Sequence, residues 1–211
     1  MRRAIALAAT AALLVMLGVT GYLAWGPRSD DPFADCRKGQ VATGAAAIGG
    51  PFSLIDSSGA RVSDADVITR PSLVYFGYTF CPDICPTDLS RNALAAEILA
   101  GKGIAIGQVF ISIDPARDTP EVVRDFTGAI HPELVGLTGS DSEVAAAAKA
   151  YRVYYRKASG DPENYMMDHS TFTYLMAPGV GFLDFYGSDV SPEVMAGSVA
   201  CFARKLGRVG G

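Results

Sequence analysis

The sequence predicts an α/β sandwich, a mixed β-sheet flanked by helices, preceded by an apolar N-terminal segment. Three observations carry that prediction. Strand-like and helix-like patterns alternate from residue 48 onward. The last two strand-like runs follow each other directly and precede one more helix, so the sheet cannot be wholly parallel. Two cysteines, Cys81 and Cys85, stand between an early apolar strand and the next helix, and they mark that junction as the chemical centre.

Residues 52–55 and 60–62, joined by Asp56-Ser-Ser-Gly59, predict a small hairpin. Residues 73–76 form an uninterrupted apolar, β-branched and aromatic run that ends at Gly77, the pattern of a buried strand. A helix over 87–99 follows, with Leu89, Leu94, Ile98 and Leu99 as its apolar face and Gly101 and Gly103 closing it. Residues 104–113 predict a long strand broken at Gly107-Gln108. Thr119 and Pro120 open the next helix as N-cap and first helical residue. Residues 134–137 predict a short strand and 142–150 an Ala-rich helix. Residues 171–175 and 182–186 predict two strands joined by Ala177-Pro-Gly-Val-Gly181, and Ser191-Pro192 starts a last helix that contains Cys201. A thiol pair after an early central strand in this order is the thioredoxin arrangement. Residues 48–208 are enough for one domain with its own core, and there is no internal repeat.

The N-terminus sets the compartment. Met1-Arg-Arg3 is a short basic start, and residues 4–25 carry no charge. At roughly 1.5 Å per residue that run is long enough to span a bilayer. It ends in Tyr22-Leu-Ala-Trp25 without a clear small-x-small cleavage site, and Tyr22 and Trp25 fit an interfacial aromatic anchor. The expectation is an uncleaved signal anchor over 4–25, with a cleaved signal peptide as the alternative. Residues 1–3 then stay in the cytoplasm, 26–47 form a tether, and the domain faces the outer side. No Arg-rich, Ser-rich transit sequence precedes the span, so the membrane is expected to be a bacterial inner membrane and the compartment an oxidising periplasm. Beyond Arg2 and Arg3, 16 basic residues face 22 acidic ones. That balance argues against nucleic acid or an anionic membrane surface as partner.

A strand that delivers two thiols to a helix start suits thiolate chemistry, because the thiolate is both nucleophile and soft-metal ligand and a helix N-terminus favours its charge. Pro86 suits the first helical position, which puts Cys85 at or next to the N-cap. Asp83 and Asp88 oppose the thiolate charge, so the direction of the net pKa shift stays open. A structural disulfide or two buried thiols is the plainer alternative. Tyr75, Phe76, Tyr78 and Phe80 read as core and as walls of the site.

Three motifs in order now resemble one family: Tyr-Phe-Gly-Tyr-Thr-Phe-Cys-Pro-Asp-Ile-Cys-Pro (75–86), Phe-Ile-Ser-Ile-Asp-Pro-Ala-Arg-Asp-Thr-Pro (110–120) and Asp-His-Ser-Thr-Phe-Thr-Tyr-Leu (168–175). Over residues 48–206, and in the single N-terminal span, the chain is similar to the Sco/SenC proteins. Those are membrane-anchored, thioredoxin-fold copper-binding proteins needed to build the copper centre of cytochrome c oxidase. The resemblance implies a copper metallochaperone in which Cys81, Cys85 and His169 bind Cu(I), Cu(II) or both. Its implied partners are the copper-bearing subunit of the oxidase and a thioredoxin-like periplasmic reductant. The residue chemistry agrees: thiolates select Cu(I), imidazole suits copper, and three protein ligands leave the ion open where a closed structural zinc site takes four. His169 falls in the loop before a late strand, where thioredoxin-like folds commonly hold a cis-proline. His131 reads as a surface or helix-end residue.

Other residues remain open between roles. Asp114 and Arg117 either orient the cysteine loop or dock a partner, or they simply cap a turn and pair locally. Asp83 is a contact to the metal site or partner, or a turn residue, and Asp168 adjoins His169. Cys36 and Cys201 complete an even set of four cysteines in an oxidising compartment and are expected to form a structural disulfide, with free thiols or an intermolecular bridge as alternatives. The competing function class is a periplasmic thiol–disulfide oxidoreductase. The common exchange motif has two residues between its cysteines, whereas this one has three, and an exchanger has no need of His169.

Overall fold

In the computed structural model, residues 2–25, 31–37, 48–159 and 164–209 are described, and the chain divides into two units, Met1–Pro32 and Phe33–Gly211. The first unit holds helix α1 (Arg2–Trp25), with side chains described only for residues 10–22. Among the described residues no helix is long and apolar enough to cross a membrane. Most of the expected tether, residues 26–30 and 38–47, lies outside the described residues.

The second unit is built on a seven-stranded mixed sheet. Its elements are β1 (Ser53–Asp56), β2 (Arg61–Ser63), α2 (Asp64–Val67), β3 (Ser72–Gly77), α3 (Ile84–Ala100), β4 (Gly107–Ser112), α4 (Pro120–Ile130), β5 (Leu134–Thr138), α5 (Asp141–Ala150), β6 (Tyr155–Lys157), β7 (Met167–His169), β8 (Thr173–Ala177), β9 (Gly181–Tyr186) and α6 (Pro192–Val209). The strand order is β2-β1-β5-β4-β3-β8-β9, with β3 parallel to β4 and antiparallel to β8. All six residues of β3 are buried, as a continuous apolar run in a strand covered on both faces requires. Alternation splits them. Leu73 joins the core formed with α3 and α6, while Phe76 packs on Tyr151 at 5.1 Å on the α5 side.

The helices begin where their caps dictate. Thr119 caps α4 by accepting from the Val122 amide, with Pro120 behind it. Ser140 and Glu143 form a reciprocal capping box that starts α5 one residue earlier than expected. Helix α3 starts at Ile84 instead of residue 87, because Asp83 occupies the N-cap position. Leu94, expected on its apolar face, is 47 % exposed; Ala93, Ala95 and Ala96 are buried instead, since the close packing of α3 on α6 admits small side chains. Strand β4 starts at Gly107, where a break was expected. A Cβ there would lie 2.4 Å from the Ser72 hydroxyl in the paired strand, so the glycine permits the pairing.

Two elements were not foreseen, the short helix α2 and the separate two-stranded sheet β6–β7. The expected disulfide is present: Cys36 is bonded to Cys201, with a Cα–Cα distance of 5.6 Å. It holds a short 3₁₀ turn (Ala34–Cys36) on α6, where Phe33 packs on Phe202 at 5.8 Å and Arg37 donates to the Leu183 carbonyl of edge strand β9 at 2.9 Å.

Candidate metal centre

The segment Tyr78-Thr79-Phe80 carries the chain from β3 to Cys81, and one buried carboxylate ties it down. Asp118 accepts from the Thr79 amide at 3.1 Å and hydroxyl at 2.6 Å, and from the Ser112 hydroxyl at the end of β4. Burial raises the Asp118 carboxyl above the ordinary range even though these hydrogen bonds lower it. Sequence reading singled out Asp114 and Arg117 in this motif and missed Asp118. The signal was its place immediately before the cap residue Thr119.

Cys81 and Cys85 are free thiols, 7 % and 0 % exposed. Because Asp83 is the N-cap, Cys85 lies inside the first turn of α3 and Pro86 is the third helical residue, which corrects the expected placement of both. The helix N-terminus therefore acts on the other thiol. The Cys85 amide donates to Cys81 Sγ at 3.4 Å. Cys81 is driven far below the ordinary thiol range, to about 3, by its hydrogen bond with the Cys85 thiol, with further contributions from His169 and the amides of Cys85 and Asp83. Cys85 is pushed up by that same bond to Cys81 and by its burial. The two aspartates that left this direction open do not oppose it. Asp83 is exposed, and the Asp88 charge is met by Arg91 at 3.0 Å.

Cys85 fits only because β3 ends in glycine. A Cβ on Gly77 would lie 3.0 Å from Cys85 Sγ and 2.9 Å from the Tyr75 ring.

His169 ends β7 and does not sit in a loop, as had been expected. Its Nδ1 lies 2.8 Å from the Ser170 carbonyl, which can only accept, so Nδ1 donates there and Nε2 is the ring nitrogen turned to the cysteines. Nε2 faces Cys85 Sγ at 3.5 Å, and the Tyr78 ring meets the imidazole edge-on at 5.8 Å.

The donor atoms of Cys81, Cys85 and His169 all lie within 4.8 Å of one another. Metal–sulfur and metal–nitrogen bonds of about 2.3 and 2.0 Å place three ligand atoms around one small ion about 3.7–4.0 Å apart, so a contraction of up to about 1 Å closes the site. Two sulfurs and one imidazole nitrogen suit copper, and the second hydrogen bond of His169 orients the ring as metal-bound histidines require. Among the described residues the group has three members, so a coordination position is left for an incoming donor.

The remaining candidates divide. Asp114 and Arg117 pair with each other, and the Arg117 guanidinium lies 4.6 Å from the Phe80 ring, beside Cys81. Asp168 is exposed and pairs with Arg156 across β6–β7 at 2.6 Å. His131 lies at the end of α4, as expected. Tyr75, Phe76 and Tyr78 are buried, whereas Phe80 is 53 % exposed and stands on the rim.

Known proteins are similar to this chain in sequence and in fold. The SCO1/SenC sequence pattern matches residues 40–204. Protein SenC of Rhodobacter capsulatus is 53 % identical over 202 residues, covering 95 % of this chain and 90 % of that protein. The crystal structure of Arabidopsis thaliana ScoI with copper bound superimposes with a TM-score of 0.71 at 40 % identity, covering 77 % of this chain and 99 % of that one. Bradyrhizobium japonicum ScoI with copper bound gives 0.66 at 35 % identity, covering 74 % and 98 %. A likeness that runs through sequence and thioredoxin-like fold alike makes this chain a member of the SCO1/SenC family.

Proposed function

We propose that the protein is a copper metallochaperone that binds one copper ion through Cys81, Cys85 and His169 and passes it to the copper-bearing subunit of cytochrome c oxidase during assembly. The observation that carries this reading is the placement of His169 Nε2, 3.5 Å from the buried Cys85 thiol at the helix start and grouped with Cys81. Copper is the cargo, and each residue has a separate task. Cys81 offers a thiolate at neutral pH, Cys85 releases its proton on binding, and His169 adds a neutral donor from an independent strand. The three-donor set lets a thiolate or imidazole of the acceptor enter before any ligand leaves. Related ScoI chains have been solved with copper bound, which supports the assignment of the metal.

The reading includes an oxidation gate. A Cys81–Cys85 disulfide cannot supply two thiolates, so loading in an oxidising periplasm depends on a thioredoxin-like reductant. It also includes attachment to a bacterial inner membrane through the uncharged residues 4–25, with the domain in the periplasm. A second reading, thiol–disulfide exchange on partner cysteines, draws on the acidic Cys81.

Copper stoichiometry and affinity of reduced and oxidised protein, measured beside an insulin-reduction assay, separate the two. Tight binding of one copper by the reduced form alone, with negligible insulin reduction, supports the chaperone. Turnover without copper binding overturns it. Fractionation with protease accessibility in spheroplasts tests the anchor, and recovery of a soluble periplasmic form starting near residue 26 excludes it.

A further inference from the structure

The strand that carries His169 is not part of the main sheet. β6 and β7 pair only with each other among the described strands, with Tyr155 opposite His169 and Lys157 opposite Met167. The cysteines sit on a segment anchored by β3, α3 and Asp118. Two segments must therefore be brought into register at the ångström level, and main-chain pairing reaches the hairpin only through β8, whose Thr173, four residues after His169, lies opposite Tyr75 of β3.

Besides Tyr78, whose hydroxyl lies 3.7 Å from Met166 Sδ and whose ring meets His169, a polar side-chain cluster spans the gap. Tyr165, four residues before His169 and 8 % exposed, donates its hydroxyl to Asp114 Oδ1 at 2.7 Å. Asp114, after β4, also accepts from Arg117 Nε. The Arg117 guanidinium lies 3.7 Å from the centre of the Tyr165 ring and 4.6 Å from that of Phe80, the residue before Cys81. On the histidine side, Lys157 of β6 lies 3.5 Å over the same Tyr165 ring, so the ring is held within its own hairpin as well. The Asp114 carboxylate neutralises a guanidinium that is only 14 % exposed, which lets it remain stacked between the two aromatic residues.

We infer that Arg117 and Tyr165 are positioning residues for His169, a clamp that ties the histidine hairpin to the cysteine loop and sets the nitrogen-to-sulfur distance. Neither residue reaches the donor atoms. Arg117 acts on Phe80 and hence on the segment that bears Cys81, and Tyr165 acts on the segment that bears His169. Asp114 joins the two. Loss of the clamp frees the hairpin without removing a ligand. The thiolates then still hold Cu(I), while the imidazole contribution is weakened.

The test uses the full-length chain with Arg117→Gln, which removes charge and stacking, and Tyr165→Phe, which keeps the ring and removes only the hydroxyl bond to Asp114. The first readout is amide hydrogen exchange of the metal-free reduced protein, so it does not depend on the copper reading. Peptides over 152–170 are expected to exchange about tenfold faster in Arg117→Gln while those over 72–77 stay unchanged, the mark of local opening. Tyr165→Phe is expected to give a smaller effect in the same peptides. The second readout, which rests on the proposed copper site, is the Cu(II) absorption and the nitrogen hyperfine signal. Arg117→Gln should shift both toward those of His169→Ala while Cu(I) affinity changes less than about threefold. Unchanged exchange over 152–170 overturns the clamp. Faster exchange there with a wild-type Cu(II) spectrum overturns its role in positioning His169. Uniformly faster exchange, including 72–77, shows a general loss of stability and likewise overturns it. Failure of the wild-type protein to bind copper sinks the copper reading and leaves the exchange result to decide the clamp.

Discussion

Gly77→Ala should destabilise the domain and disturb the thiol site together. The added methyl would stand 2.9 Å from Tyr75 Cε1, 3.0 Å from Cys85 Sγ and 3.3 Å from Phe110 Cε2. Optimal contacts lie near 3.5–4.0 Å, so at least two neighbours must retreat by about half an ångström or more. None has anywhere to go, since Tyr75, Cys85 and Phe110 are all 0 % exposed. Overpacking of this kind costs about 1–3 kcal/mol. Replacing glycine in a strand returns about 0.5–1 kcal/mol through the unfolded chain. The net loss is then centred on about 1 kcal/mol, with an upper end of about 2.5, or a fall in Tm of about 2–4 °C at the centre for a domain of this size. Gly128 in α4 is the control, because an alanine Cβ there meets nothing within 4 Å and the same substitution should stabilise by up to about 1 kcal/mol. Urea unfolding of the reduced, metal-free protein measures both. Cys85 must shift relative to His169 to make room, so Cu(I) affinity should fall in Gly77→Ala and stay unchanged in Gly128→Ala. A Gly77→Ala protein as stable as wild type, with an unchanged urea slope, would refute the packing argument.

Four further outcomes are expected. His169→Ala should weaken copper binding and change the Cu(II) absorption, and an unaltered affinity and spectrum would exclude His169 as a ligand. Cu(I) binding near neutral pH should release close to one proton, because Cys81 is already a thiolate and only Cys85 must deprotonate. The same pair dictates the pH dependence of the reduced protein. Between the lowered Cys81 value and the ordinary thiol range, the unfolded state binds the extra proton, so stability rises with pH. Above that range the raised Cys85 keeps a proton that the unfolded chain has lost, so stability falls. Calorimetry in buffers of different ionisation enthalpy reads the proton count, and release of two protons would contradict the asymmetry. Removing the Cys36–Cys201 bridge, which joins residues 165 apart, should cost less than the chain-entropy bound of about 5 kcal/mol. Non-reducing peptide mapping should recover the bridged peptide from a single chain, and alkylation of both thiols in oxidised protein would refute it.

The clamp and the acidic thiol belong to one design. On the proposed chaperone reading, the site must hold copper firmly enough to discriminate and loosely enough to release it. Placing two sulfurs on a rigid strand–helix junction and the nitrogen on a small separate sheet divides those demands between two segments. The disulfide joins a different core cluster, where the 3₁₀ turn meets α6, from the one that holds Cys81 and Cys85.

The sequence by itself determined the strand–thiol–helix junction, the order of elements and the three donors of the candidate site. A fully buried apolar run, cap residues at fixed offsets and the softness of sulfur are local properties that a chain displays before it folds. Which thiol is acidic was not among them. That depended on Asp83, and not Cys85, standing at the N-cap, a shift of two residues that turned the helix start toward Cys81. Nor could Leu94 be recognised as exposed, since alanines suffice where two helices approach closely. The β6–β7 sheet escaped notice because its strands have three residues each, too few for an alternating pattern to show. Tertiary structure alone decided that Tyr165, Asp114 and Arg117 meet, and with them the place of His169. Their contacts join segments about 50 residues apart, a separation at which no local pattern records who will be neighbours.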